Sequence, residues 1–118
     1  MRRDPRVLLT DIDQAGADIQ SFIDGMDSAA YAGDARTQAA VERKFEIIGE
    51  AINRLNADHP SLASRIPDMR RIIDFRNYLA HGYDHVAPRL VWLYAANNLP
   101  ELRRVVQALL AEMEATGE

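Results

Sequence analysis

The chain has 118 residues, 47% hydrophobic and 27% charged, an ordinary globular balance that excludes a disordered polar tract and suits one domain spanning residues 1–118. It contains no cysteine, which removes disulfides, thiol nucleophiles and cysteine-based zinc sites together. The net charge of −4 speaks against a protein that coats nucleic acid indiscriminately, because non-specific affinity comes mainly from neutralising phosphates.

Asp4 followed by Pro5 reads as an N-cap and first-turn proline. Behind them Leu8, Ile12, Ala15, Ile19, Phe22 and Met26 recur at spacings of four and three, which predicts an amphipathic helix of about twenty residues with Gly25 near its end. Asp34 caps a second predicted helix whose stripe is Val41, Phe45, Ile48, Ile52 and Leu55, widened by Ala40, Ile47 and Ala51, and "ADHP" stops it. Glu46 and Glu50 read as a solvated face of that helix. Pro67 and Asp68 open a third helix that runs to about Ala80, where Gly82 suits a left-handed C-terminal turn. Pro88 starts a fourth, with Leu90, Val91, Leu93 and Tyr94. Pro100 interrupts or restarts it before Leu102, Val105, Val106, Leu109, Leu110 and Met113 continue the pattern. There is no strand-like alternation, repeat or low-complexity tract, so the expected fold is all-α, an up-and-down bundle of four to five helices. No apolar run approaches the length of a membrane span, and the N-terminus turns acidic too soon for a signal peptide, so a soluble, cytoplasmic protein is expected.

Charge is unevenly spread. Residues 1–58 hold seven Lys/Arg against eleven Asp/Glu, whereas residues 65–89 hold five Arg against three Asp. The basic excess surrounds "DFRNYLAHGYDH", residues 74–85. At about 100° per residue, Met69, Ile72, Ile73, Phe75, Leu79 and Ala80 share one broad arc, and Arg76 falls in its middle. A guanidinium in an apolar interior must find a partner, since desolvating an unpaired charge costs several kcal/mol. A carboxylate, a backbone cluster, a subunit groove and a bound phosphate all qualify. Asn77 and His81 are four apart and share a face, so the amide can orient the imidazole. Arg76 and His81 diverge by about 140° on a continuous helix, less if it unwinds at Gly82. His81, Asp84 and His85 do not make a convincing metal site, because Gly82 breaks the helical pairing of the histidines and His59 is remote. No metal or cofactor is expected.

"RNYLAHGY" has the R-x4-H-x-Y form of the HEPN superfamily. With "FEIIGEAINRL" and "LVWLYAANNLPELRRVVQALL", it makes nearly the whole chain resemble the HepT-like toxins that pair with minimal, MntA-like nucleotidyltransferase antitoxins. Ala87 departs from the pattern, standing where an acidic cap before Pro88 is expected. The resemblance implies a metal-independent endoribonuclease that works as a homodimer, with the motifs of two subunits facing a shared cleft. Arg76 and His81 would be catalytic, Asn77 would support them, and Tyr83 would be the residue adenylylated by the cognate antitoxin. RNA would be the substrate. The alternative is a non-catalytic HEPN module that binds a nucleotide or the nucleotidyltransferase.

Overall fold

The computed structural model describes residues 3–82 and 86–116. Among these the chain is all-helical: α1 (Pro5–Phe22), α2 (Ser28–Ala32), α3 (Ala35–Asp58), α4 (Pro60–Ala63), α5 (Met69–His81), α6 (Pro88–Leu93), a π-helical turn (Tyr94–Asn98) and α7 (Leu99–Ala115). The expected starts of α1 and α3 are reproduced by their caps. The Asp4 carboxylate accepts from the Arg6 N–H at 2.9 Å and the Asp34 carboxylate from the Thr37 N–H at 3.0 Å, each satisfying a donor that the first turn leaves free. Gly25, with φ of 79°, takes the left-handed turn after α1. That helix ends at Phe22, short of Met26 in its predicted stripe; Phe22 is exposed, and Ile23 packs against the core.

Helix α3 is the spine of the molecule. It packs on α1 through one side and on α5 through the other, while α7 closes the far side of α1. Leu8, Leu9, Ile12 and Ile19 of α1 meet Val41, Ile48, Ile52 and Leu55 of α3 and Leu99 and Val106 of α7, all fully buried. Each such side chain contributes about 1.5–3 kcal/mol by leaving water. An aromatic group ties α5 to the C-terminal helices: Phe75 and Tyr94 stack at 4.2 Å, and Phe45 stands edge-on to both at 5.3 and 5.9 Å. These offset and edge-to-face arrangements suit the ring quadrupoles.

Two expectations change and one is refined. Short helices α2 and α4 had no periodic signal and exist because they place Tyr31 and Ala63 in the core. Asp68 does precede α5, but it takes a left-handed φ of 57° and its side chain caps nothing. Pro100 stands in the first turn of the last helix, where α-helical bonding restarts as expected, but the chain stays helical ahead of it. The preceding turn is wide, with the Leu99 N–H bonded back to the Tyr94 carbonyl five residues away, and α7 begins directly after it with the proline in its first turn.

Candidate active site around Arg76

Arg76 sits where α5 crosses α3. The crossing is close because residue 49 is glycine: a Cβ there would overlap the Cβ and Cγ of Arg76 outright and stand 3.6 Å from its Cα. The arginine stem therefore lies flat on the α3 backbone, and its head emerges at the edge of the apolar arc with 30% of the side chain exposed. There Nη2 donates to Glu50 Oε1 at 3.1 Å and Nη1 to Asn77 Oδ1 at 3.1 Å. The Nε–H is buried without a hydrogen-bond partner. Of the four partners open to Arg76, the folded chain supplies a carboxylate. Glu50 is thus more than a solvated face, although its side chain stays 55% exposed, while Glu46 lies 3.6 Å from Arg43 on the same helix.

The second partner of Arg76 corrects another expectation. Asn77 turns its carbonyl to the guanidinium rather than showing a bond to the imidazole of His81. His81 is the last residue of α5 and is exposed. Because α5 is unbroken from Met69 to His81, the full divergence of about 140° between Arg76 and His81 stands, and one chain does not bring them together. Gly82 does not adopt the left-handed turn; its φ is −104°, and its N–H continues the helical pattern to the Tyr78 carbonyl at 2.8 Å. Glycine is required there for space, since a Cβ would come within 2.6 Å of that carbonyl oxygen. Tyr83, Asp84 and His85 lie outside the described residues. Tyr78 is inside α5, as expected, and its hydroxyl accepts from the Ala87 N–H at 2.8 Å, tying the chain ahead of α6 to the end of α5.

Beside Arg76 a groove of about 580 Å³ follows α3, with Glu50, Asn53 and Arg54 along it and Asp11 and Arg3 opposite. Among the described residues no group of three or more His, Asp or Glu is placed to hold a metal ion. No described helix is long and apolar enough to cross a membrane. The chemistry at hand is that of a fixed cation, partly satisfied and part-exposed, with an exposed imidazole further along the same helix on a different face. Sequence reasoning passed over Gly49 and took Glu50 for a solvated position. The available signal was the glycine itself: inside a helix of good formers it costs about 1 kcal/mol, and so calls for a packing reason.

Comparison with known proteins supplies the rest. The family model described as "Ribonuclease HepT-like" matches residues 12–109. "Probable ribonuclease HepT" of Thermococcus cleftensis is 33% identical over 87% of this chain and 93% of its own length. A protein of Methanocaldococcus jannaschii named "Putative RNase" is 27% identical over 99% of this chain and 96% of its own. One of the same name from Caldanaerobacter subterraneus is 29% identical over 90% and 94%. No solved structure matches. With an all-helical fold, the R-x4-H motif at the end of α5 and a family match across most of its length, the chain belongs to the ribonuclease HepT-like family.

Proposed function

We propose that this chain is a metal-independent endoribonuclease, the toxin of a toxin–antitoxin pair, acting in the cytoplasm as a homodimer. Its cognate partner is an MntA-like nucleotidyltransferase that silences it by adenylylating Tyr83. The observation that carries the ribonuclease reading is Arg76, whose stem is fixed on Gly49 and whose guanidinium keeps N–H donors beyond those given to Glu50 and Asn77. Such a preorganised cation suits a phosphate that gains charge in the transition state.

Cleavage without a metal proceeds by attack of the ribose 2′-oxygen on phosphorus, with loss of the P–O5′ bond. One group takes the 2′-hydroxyl proton and another returns a proton to the departing 5′-oxygen. Imidazole serves either role near neutral pH. Since Arg76 and His81 point apart within one chain, two copies facing each other give the simplest complete set: two His81 side chains share the acid and base roles, and two Arg76 side chains hold the phosphate. The same divergence, together with the Glu50 counter-ion already on Arg76, is what favours the second reading of a non-catalytic module.

A cleavage assay in EDTA separates the two. Purified protein is expected to cut RNA, and His81→Ala and Arg76→Ala to lose about 100- to 10,000-fold with their folds intact. Failure to cut any RNA tested, or equal cutting without His81, leaves the module as the reading.

A further inference from the structure

The groove beside Arg76 continues well past it. Its floor on α3 runs from Ile47 through Glu50 and Arg54 to Ala57, about 15 Å at the helical rise per residue. Three arginines line it, Arg76 near one end, Arg54 along the floor and Arg3 opposite, against two acids, Asp11 and Glu50. In a chain of net charge −4 the arginines lining this groove outnumber the lining acids by one and are continuous with the motif arginine, with Asp58 beside the Arg3 end.

The arginines differ in their commitments. Glu50 is engaged with Arg76, whereas the Arg54 side chain is exposed and makes no hydrogen bond or ion pair among the described residues. The backbone of Arg3 is pinned at both ends of its peptide: its N–H donates to Asp58 Oδ2 at 3.2 Å, and its carbonyl lies 2.7 Å from His59 Nε2. That clamp holds the segment ahead of α1 beside the C-terminal end of α3 and sets the Arg3 side chain at the groove. A free cation on a helix and a second one fixed by its backbone, both in one trough with the phosphate-binding candidate, make a track for a polyanionic strand.

We propose that this groove is the subsite for the single-stranded RNA flanking the cleaved bond, with Arg54 on a phosphate next to the one held by Arg76 and Arg3 on one beyond it. Asn53 offers a neutral donor and acceptor beside the strand, and Asp11 repels it, keeping affinity moderate. The assignment rests on the ribonuclease reading.

The test uses the His81→Ala protein and a fluorescently labelled oligoribonucleotide of about ten nucleotides, with binding followed by anisotropy across a salt series. Adding Arg54→Ala is expected to weaken binding roughly three- to tenfold and to lower the slope of log affinity on log salt by about 0.7, the loss of one phosphate contact on a single strand. Arg3→Ala should act in the same direction, and Asp11→Asn, which removes the repelling charge, should tighten binding. If these variants all bind like the His81→Ala protein while the native protein still cleaves RNA, the strand takes another path and only the groove assignment falls. If the native protein neither binds nor cleaves RNA, the ribonuclease reading falls and the groove assignment with it.

Discussion

Replacing Gly49 by alanine is a one-carbon change aimed at the seat of Arg76. In an isolated helix it would stabilise by up to about 1 kcal/mol, because alanine restricts the unfolded chain. Here the added carbon falls on the Cβ and Cγ of Arg76, atoms too near the α5 backbone to swing aside. Helices α3 and α5 must part by roughly 1 Å or the arginine must leave its seat, given the contact distance carbon atoms require. Overpacking of this kind costs about 1–3 kcal/mol, so the net expectation is a loss of about 1–2 kcal/mol. For a chain of this size that is a fall in Tm of about 4–8 °C, read by circular dichroism. Catalysis should suffer more: a misplacement of about 1 Å can cost about 100-fold in rate even when the protein stays folded. Gly16→Ala is the internal control. A Cβ there meets Cγ and Cδ of Arg103 at 2.9 Å, further out along a side chain held to Asp13 and Gln20, so it should lower Tm while leaving RNA cleavage near the native rate. A Gly49→Ala protein that melts no lower than native and cuts RNA at the native rate would refute the seat.

Other outcomes follow from single contacts and from the proposed assembly. Tyr78→Phe removes the acceptor of the part-buried Ala87 N–H and should cost about 1 kcal/mol by chemical denaturation, with no change if water replaces the hydroxyl fully. Burial, with Glu46 nearby, raises the pKa of Glu42, so its folded pKa lies above its unfolded one. Its protonated form favours folding, that contribution is lost as pH rises through the folded pKa, and Glu42→Gln should raise Tm at neutral pH by a margin that shrinks on acidification. Light scattering at micromolar concentration should give about twice the 13.3 kDa chain mass, and a monomer throughout would remove the two-histidine mechanism. Incubation with the cognate nucleotidyltransferase, ATP and magnesium should add one or more AMP masses to the peptide containing Tyr83; full inhibition of Tyr83→Phe by the same treatment would show that silencing works another way.

The long helices were legible because each has enough turns for a stripe to show; Asp4 with Pro5 and Asp34 mark the starts of α1 and α3 by capping them, and Pro88 marks the start of the shorter α6 without a side-chain cap. Helices of five and four residues, α2 and α4, offer no period to read and are fixed by what they bury. Arg76 stood out as a charge within an apolar arc, and that oddness was real. Its counter-ion was not legible, because choosing among the carboxylates of a neighbouring helix depends on how two helices slide and turn on each other. Gly82 shows the same limit. Its residue type marks a tight place after the helix, but whether the need is a left-handed φ or room beside a carbonyl is decided by coordinates alone.

The wide turn at Tyr94–Asn98 also absorbs one residue beyond what a regular α-helix would need. Buried positions run Val91, Ala95, Leu99, Leu102, Val106 and Leu109, with two steps of four in a row across the turn before the ordinary alternation resumes. The turn works as a phase shifter, taking up one residue so that α7 presents its leucines to α1 in step with α6. Deleting one residue between 94 and 98 would close the wide turn into ordinary α-helical bonding and leave Leu102 and Leu109 in phase with α6, whereas adding a further residue would rotate everything downstream by about 100°. The stretch from Pro88 to Pro100 can therefore lose the one residue that the turn absorbs, while a residue added there would be felt along all of α7.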